Sequence, residues 1–472
     1  MTDDTATGPR KQGRRPDRTS SPRPAGGGGG RDRGAPPPPP GYAVRALATD
    51  LVLGVMRGDL LDGLLDDGPL ARRFARLEPK DRALTRAIVG TTLRRHDQIS
   101  HALSRLMDRP LPAKASAMKA ILDVAAAQIL FMDVPDHAAV ALAVEQAGAS
   151  PATAKWKGLA NAVLRRLTRE GAAITADQDA AALDAPAWMM ARWTAAYGDE
   201  AARAIASAHL VEPSLDLTVK SDAAGWAERL GARLLPTGSL RLASAGAVEA
   251  LPGYREGAWW VQDAAAALPP RLLGDVRGQR VLDLCAAPGG KTALLAARGA
   301  TVTALDQSER RLARLVANLD RLGLAATTVV ADAATWSADP FDAVLLDAPC
   351  SATGTLRRHP DGAFLKSADD VAAMAGLQRA ILAHAVDLVR PGGLLVYCTC
   401  SLEPEEGEAQ IERLLASGAP VERVPVRAEE IGGLAEAVTP AGDMRTLPFM
   451  LADEDPRLSG LDGFFAARLV RR

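Results

Sequence analysis

The sequence predicts a multidomain protein in which an all-α region is followed by an α/β domain with a parallel sheet. The chain has 472 residues, which is long enough for more than one domain. From Tyr42 to about Glu170, apolar residues recur at the three- and four-residue spacing of helices. From about Trp259 to Arg472, strand-like apolar runs alternate with helical ones, a pattern typical of a sheet with helices on both faces.

The N-terminal segment, residues 1–41, is of low complexity, with runs of glycine at 26–30 and of proline at 36–40. It has almost no large apolar side chain to bury, and its basic residues outnumber its acidic ones. We therefore expect a disordered, mildly basic tail. Composition alone leaves open whether this tail binds RNA weakly or is a solvated linker.

Residues 42–170 predict a helical domain. Apolar stripes at helical spacing cover residues 44–53, 81–93, 115–131, 137–147 and 157–167. Basic side chains collect on faces that we expect to be exposed: Arg72, Arg73, Arg76, Arg82, Arg86, Arg94, Arg95, Arg165 and Arg166. Most charged helix faces are simply solvated, but an RNA-binding surface would use the same groups to contact phosphates.

A smaller segment, residues 184–257, mixes helical and strand-like patterns. A helical stretch runs from Pro186 to His209, and strands are expected at 215–220 and 240–243. Periodicity assigns this segment no activity of its own. We expect a small α+β subdomain that links the two larger domains or helps to recognise RNA.

Residues 258–472 predict the α/β domain. Strands are expected at 281–284, 302–305, 328–331, 343–346 and 394–398, and helices at 292–297, 309–322, 371–389 and 406–416. In folds of this kind, ligands bind at the carboxyl ends of the strands. The most unusual residues of the sequence stand there: Asp283, Cys285, Asp306, Asp332, Asp347 and Cys400.

The loop after the first strand predicts a site for a nucleoside without a pyrophosphate. Gly289 and Gly290 let a ligand approach the backbone, and the following helix offers its amide-lined N-terminus. A phosphate-binding P-loop would need glycine where Cys285 stands, and the dinucleotide pattern G-x-G-x-x-G is absent from the sequence. Asp306 follows the second strand, where an acidic residue binds ribose, and Asp332 follows the third. Either carboxylate could merely cap the next helix, but their serial placement favours an adenosyl ligand such as S-adenosylmethionine.

Two cysteines, Cys350 and Cys400, follow the fourth and fifth strands, so neighbouring strands would bring their thiols into one pocket. Methylation of a pyrimidine at C5 needs such a thiol, because C5 is a poor nucleophile until a thiolate adds to C6. A base then removes the C5 proton and the thiolate leaves. Cys398 lies on the strand itself and is expected in the core. A zinc site is disfavoured because no two cysteines form a C-x-x-C pair, and the histidines form no metal-spaced cluster.

Composition also bears on the compartment. The 4 cysteines are too few for a disulfide framework in so long a chain. Residues 1–18 are polar and lack the apolar stretch of a secretion signal, and no apolar run in the sequence is long enough to span a membrane. We therefore expect a cytoplasmic protein with neither a membrane nor a metal partner.

Several motifs resemble those of the Sun/RsmB-type (Fmu) RNA cytosine-C5 methyltransferases. The signature motifs lie at 283–292, 347–354 and 399–401, and supporting motifs lie at 260–263, 356–361, 391–393 and 462–465. The helical part, at 134–140 and 161–166, resembles the NusB-type RNA-binding domain that is fused to bacterial members. Together the resemblance covers residues 42–472.

This resemblance implies a NusB-like domain followed by a Rossmann-like class I methyltransferase domain. The implied reaction is methylation of C5 of a cytosine, with small-subunit (16S) ribosomal RNA favoured over tRNA, which the residues alone leave open. The resemblance assigns Cys400 as the nucleophile and Cys350 as a helper in product release. The S-adenosylmethionine site would be lined by Cys285, Ala286, Ala287, Pro288, Gly289, Gly290, Lys291, Asp306, Asp332 and Asp347.

Within this site, Asp347 would also bond the edge of the cytosine ring, and Lys291 would position the base or the cofactor. The sequence departs from the family pattern at Ala352 and Gly407, where many members have glycine and asparagine, respectively. It also departs at residues 217–220, where a strand with Arg and Asn is more usual.

Other interpretations stay open at this point. DNA-directed C5 methyltransferases use the cysteine of a Pro-Cys element as nucleophile, which would be Cys350. A catalytically idle RNA-binding assembly factor on the same scaffold would need neither thiol. An amino-directed methyltransferase would carry an Asn/Asp-Pro-Pro-aromatic element in place of residues 347–350.

Overall fold

The computed structural model describes residues 39–243 and 246–472, so the expected tail lies outside the described residues except for its last three positions. The first part of the described chain is helical, as predicted. Its helices are α1 (Tyr42–Val55), α2 (Leu61–Asp66), α3 (Gly68–Ala75), α4 (Pro79–Arg94), α5 (His96–Leu106), α6 (Ser116–Phe131), α7 (Asp136–Gly148), α8 (Lys157–Ala176), α9 (Ala180–Asp184), α10 (Ala187–Tyr197) and α11 (Asp199–His209). The expected end of the helical domain at residue 170 falls inside α8.

The centre of the helical part is α6, which packs against α1, α4, α5, α7 and α8. Alanines at 120, 125, 126 and 127 are buried in it, and their small side chains let the surrounding helices approach closely. None of the helices among the described residues is both long and apolar enough to cross a membrane.

The middle part is a small antiparallel sheet. It contains β1 (Leu215–Val219), α12 (Ala223–Leu230), β2 (Arg233–Leu234), β3 (Leu240–Leu242) and β4 (Trp259–Val261). The strand order is β2-β3-β1-β4, and the fully buried pair Asp216–Arg241 joins β1 to β3 through bonds of 2.7 and 2.6 Å. The strands expected near 215–220 and 240–243 are present, while β4 lies beyond the expected boundary at 257 and completes this sheet.

The last part carries the main sheet. Its elements are β5 (Arg280–Leu284), α13 (Gly290–Ala297), β6 (Thr301–Asp306), α14 (Glu309–Leu322), β7 (Thr327–Val330), β8 (Phe341–Asp347), α15 (Gly362–Leu365), α16 (Ala368–Asp387), β9 (Val389–Thr399), α17 (Glu408–Ala416), β10 (Val421–Arg423), β11 (Met444–Thr446) and β12 (Phe464–Arg471). The strand order is β10-β12-β9-β8-β5-β6-β7, with β11 paired to β12.

The prediction of a parallel sheet is correct for β5 to β9 but incomplete. β12 runs antiparallel beside β9, and both β10 and β11 pair antiparallel with β12. The prediction that a helix extends to Val389 was wrong, because α16 ends at Asp387 and Val389 begins β9. Similarly α17 begins at Glu408, and Glu406 lies in a preceding short 3₁₀ turn.

Burial of both faces explains why these segments form the sheet. Val281 packs on one face of β5 and Leu282 on the other, in separate apolar clusters. α14 begins after Ser308, whose hydroxyl accepts a bond of 3.3 Å from the amide of Arg311, and Gly323 ends it in the left-handed conformation. Since β5 lies between β6 and β8, chain connections diverge there, and the loops after β5, β8 and β9 meet at the same edge.

Contacts between the helical part and the main domain correct one expectation. Arg94 donates a bond of 2.5 Å to the backbone carbonyl of Arg357, and Arg95 donates one of 3.3 Å to the carbonyl of Leu210. The prediction that these two arginines lie on an exposed face was therefore wrong. The helical part packs against the segment that follows β8 through Arg94, while Arg95 bonds the segment that follows α11.

Candidate active site

The loop after β5 is built around a buried carboxylate. Asp283 is fully buried, and its Oδ2 accepts a bond of 2.6 Å from the hydroxyl of Thr292 in α13. Burial raises the pKa of Asp283 to about 7. Gly289 directly precedes α13 with φ +101°, and a Cβ there would come within 2.6 Å of Leu315, so this position requires glycine. These contacts hold the loop between strand and helix.

A pocket, here called the small pocket, opens on one side of this loop. It is lined by Cys285, Leu305, Asp306, Gln307, Arg311, Asp332, Ala333, Pro349, Leu377 and Ile381. Burial raises the pKa of the Cys285 thiol to about 12, so this cysteine stays protonated near neutral pH. Carboxylates beside Leu305, Leu377 and Ile381 suit a nucleoside, whose hydroxyls need acceptors and whose base needs apolar walls.

The two aspartates of the small pocket differ in their surroundings. Asp306 is buried; its Oδ2 accepts from the amide of Ala287 at 3.2 Å and its Oδ1 from the amide of Ser308 at 2.9 Å. Asp332 is exposed, and its Oδ1 accepts from the amide of Ala334 at 2.9 Å. Each aspartate therefore accepts local backbone bonds, as a residue that caps the next helix would, and also lines the small pocket, as a cofactor-binding residue would. The two interpretations do not exclude each other.

A larger depression, here called the main cleft, lies on the other side of the loop. Its volume is about 760 Å³, within the range typical of sites for small ligands. Among its lining residues are Tyr254, Trp260, Asp263, Ala286, Pro288, Gly290, Lys291, Arg314, Arg321, Asp347, Arg358, His359, Cys400 and Phe464. Most of the predicted site residues are thus divided between two cavities that share the first loop, while Ala287, Gly289 and Cys350 line neither of them.

The two predicted thiols are in contact. Cys350 follows β8 and Cys400 follows β9, and their sulfur atoms lie 3.4 Å apart. The hydrogen bond with Cys400, together with burial, raises the pKa of Cys350 well above its ordinary value. Cys400 lines the main cleft, and Cys350 is not among the residues that line it. Cys398 is fully buried within β9, as expected.

Lys291 and Asp347 form an ion pair at the floor of the main cleft. The distance from Lys291 Nζ to Asp347 Oδ2 is 2.8 Å, and the ammonium group lies 4.8 Å from the centre of the Phe464 ring. Burial by itself would lower the pKa of Lys291, but the carboxylate of Asp347 outweighs it, and the pKa is raised. The lysine is therefore a permanent cation beside the thiols.

The structure shows the local environment of two departures from the family pattern, Ala352 and Gly407. Ala352 has φ +58°, a left-handed conformation that glycine adopts without strain and alanine does not. A Cβ at Gly407 would approach the guanidinium of Arg445 to 2.6 Å, so Arg445 fills the space into which a side chain would extend. Neither position contacts the thiols through a side chain.

An ionic group in the main cleft was missed by sequence reasoning. The guanidinium of Arg358 lies 3.5 Å from Asp263 and also pairs with Asp462. Burial raises the pKa of Asp462 to about 7. All three residues lie in motifs that the sequence analysis used only to support the resemblance. Their positions in the sequence give no indication that the three side chains meet. No group of three or more potential metal ligands occurs within 39–243 and 246–472.

Comparison with known proteins agrees with this architecture. Residues 42–169 match the NusB family, and residues 270–470 match the model described as 16S rRNA methyltransferase RsmB/F. Ribosomal RNA small subunit methyltransferase B of Salmonella arizonae is 38% identical over 450 residues, which cover 91% of this chain and 99% of that protein. The chain belongs to the RsmB/F family. The protein of the same name from Salmonella typhi is 37% identical over the same length.

Solved structures support the fold of this RsmB/F member. The crystal structure of PH0851 has a TM-score of 0.69 at 22% identity, covering 92% of this chain and 99% of that chain. NSun6 from Pyrococcus horikoshii has a TM-score of 0.50 at 19% identity, covering 61% and 98%, respectively. Family membership confirms the resemblance, the NusB-like and class I methyltransferase fold, and an S-adenosylmethionine-dependent RNA cytosine-C5 methyltransferase activity.

Proposed function

We propose that this enzyme methylates C5 of a cytosine in small-subunit (16S) ribosomal RNA and that Cys400 is its nucleophile. The assignment of the reaction rests on the contact between Cys350 and Cys400, whose sulfur atoms lie 3.4 Å apart at the edge of the main cleft. The position of Cys400 on the cleft, and its closer match to the family's Thr-Cys-Ser motif, favour it over Cys350. The names of the relatives support the ribosomal substrate.

In the proposed reaction, the thiolate of Cys400 adds to C6 of the cytosine, and the electron pair of the C5–C6 double bond becomes available at C5. S-adenosylmethionine supplies an electrophilic methyl group when bound. A base then removes the proton from C5, the double bond re-forms, and the bond between C6 and sulfur breaks to release Cys400. Cys350 assists this last stage, as the base or by helping the sulfur of Cys400 to leave.

The remaining site residues have proposed roles in binding. Lys291 and Asp347 present a donor and an acceptor beside the thiols, which suits the amide-like edge of cytosine. The small pocket, with Asp306 and Asp332, would hold the adenosine part of the cofactor. The loop from Cys285 to Lys291 borders both cavities, and its backbone would hold the part of the cofactor that carries the methyl group.

RNA contacts are proposed for the helical part and the cleft walls. Arg72, Arg76, Arg86 and Arg165 are exposed on the helical part, and Arg314 lines the main cleft. Guanidinium groups on these surfaces would bind phosphates without reading sequence. We retain the proposed division into a basic tail, a NusB-like domain, a small α+β subdomain and a methyltransferase domain.

Substitution of each thiol tests the assignment. Cys350→Ala should stall after methyl transfer and accumulate a protein–RNA complex that survives denaturing gels. Cys400→Ala should give neither turnover nor complex, and Cys398→Ala, the matched control within β9, should not trap RNA. A complex in Cys400→Ala with none in Cys350→Ala would reverse the assignment. Bisulfite sequencing of total RNA from a strain without this protein would identify the target cytosine.

A further inference from the structure

Glu406 is a buried carboxylate next to the two thiol loops, and the proposed reaction assigns it no role. It ends the 3₁₀ turn Pro404–Glu406, and its side chain is fully buried. Burial of a carboxylate is costly unless donors surround it. Four donors do so: the amide of Ser351 at 2.8 Å, the side-chain amide of Gln378 at 3.1 Å, the hydroxyl of Ser401 at 2.5 Å, and the hydroxyl of Ser351.

These donors belong to both thiol loops. Ser351 directly follows Cys350, and Ser401 directly follows Cys400. Glu406 therefore connects the two residues that succeed the thiols, in the loops that follow the neighbouring strands β8 and β9. A backbone bond of 3.0 Å from the amide of Gly354 to the carbonyl of Cys400 adds a second connection between the loops.

We propose that Glu406 is a positioning residue for the methyl transfer, whose carboxylate clamps the loop of Cys350 to the loop of Cys400 and holds the two thiols in contact. The inference rests on the proposed roles of those cysteines and adds a residue that touches neither substrate nor cofactor. Its side chain reaches the thiol loops through Ser351 and Ser401. Reacting groups displaced by about 1 Å can lose on the order of 10²-fold in rate, so such a clamp bears directly on turnover.

The charge of Glu406 has a second consequence. Two thiols in contact do not ionise together readily, because a thiolate on one raises the cost of a thiolate on the other. Glu406 is one of the groups that raise the pKa of Cys350, after the hydrogen bond with Cys400, burial and the charge of Cys400. A negative charge on that side makes loss of the proton from Cys350 less favourable.

The test compares Glu406→Gln with Glu405→Gln. Glutamine at 406 keeps an oxygen for the amides of Ser351 and Gln378 but removes the charge and the oxygen that accepts from the hydroxyls of Ser351 and Ser401. Glu405 is the matched control: it is the adjacent residue, its side chain is 45% exposed, and it pairs with Arg192 at 2.6 Å. Methyl transfer to RNA is measured from acidic to alkaline pH, with kcat and KM separated.

For Glu406→Gln we expect kcat to fall by on the order of 10²-fold, while KM for RNA stays near the wild-type value. The pH profile should also move to lower pH, because removal of a nearby negative charge lowers the pKa of Cys350. Glu405→Gln should match the wild type in both respects. A purely structural role for Glu406 would reduce the amount of active enzyme without moving the profile.

The proposal would be overturned if Glu406→Gln had the kcat and the pH profile of the wild type. It would also be overturned if Glu405→Gln shifted the pH profile as much as Glu406→Gln does. If Glu406→Gln does not fold, Ser401→Ala removes one donor of the clamp, and a loss of kcat without a change in S-adenosylmethionine affinity is then expected. An unchanged kcat in Ser401→Ala would count against the clamp. The trapping experiment with Cys400→Ala is independent, so a failure of the proposed thiol roles is distinguishable from a failure of the clamp.

Discussion

Asp283→Asn should make the stability of the methyltransferase domain less dependent on pH. Asp283 is fully buried, with Oδ2 bonded to Thr292 at 2.6 Å and with no partner for Oδ1. Burial raises its pKa to about 7, from the 3.8 of a solvated carboxyl. Between these values the native state keeps a proton that the unfolded state has lost. Stability therefore falls as the pH rises through this window and is constant above it.

The size of the effect follows from the same values. A difference of about three pKa units corresponds to about 4 kcal/mol, at 1.36 kcal/mol per unit, as an upper estimate for a buried carboxyl. About half of that fall lies between about pH 5.5 and 7, where the protein can be handled. Asparagine does not titrate, so the variant lacks this fall. Its buried amide also lacks a partner, but that cost does not change with pH.

The assay is urea unfolding from about pH 5.5 to 8.5, with the difference between variant and wild type as the measured quantity. That difference should shift in favour of Asp283→Asn by about 2 kcal/mol over the acidic half of the range. Asp275→Asn is the control, since Asp275 has an exposed side chain (74%). A difference that stays constant with pH would refute the argument that Asp283 is protonated in the native state.

Three further outcomes are expected. Asp306→Ala should weaken S-adenosylmethionine binding by about 1–3 kcal/mol, because a buried acceptor is lost; unchanged affinity in calorimetry would remove Asp306 from the cofactor site. Lys291→Met should lower kcat on RNA, by on the order of 10²-fold if the lysine positions the base, with cofactor affinity retained; a normal kcat would exclude that role. Replacing Arg72 and Arg76 by glutamine should weaken RNA binding and reduce the salt dependence of log K by up to about two; an unchanged salt slope in a filter-binding assay would leave this surface without a role in RNA binding.

Much of the fold was predictable because its signals are local. The bounds expected for α14, residues 309–322, agree with the structure, since a serine precedes this helix and a glycine follows it. The five parallel strands have apolar runs bounded by turn residues, so each was found near its place. The antiparallel β12 was not predicted as a strand, because its sequence was read as a motif and nothing local indicates its pairing with β9.

The candidate site was predictable residue by residue but not as an arrangement. Cys350 and Cys400 were selected because each follows a strand, and that placement suffices to expect a shared pocket. Their direct contact depends on β8 and β9 being neighbours, which periodicity does not specify. The burial of Glu406 was missed because the sequence pattern placed this residue at the start of a helix, and its donors lie in loops that only the packing brings together.

The sequence by itself determined the main helices and the five parallel strands, and it carried the motifs that identify an RNA cytosine-C5 methyltransferase. Those properties depend on the spacing of residues within short segments, and this spacing is the same however the segments pack in the folded protein. Only the tertiary structure decided which charges and thiols meet. Arg358 pairs with Asp263 and Asp462, residues far apart in the chain, and Arg94 is turned from a solvated cation into an interdomain contact. Such pairings follow from how whole elements pack, because a buried charge is tolerated only where packing brings partners to it.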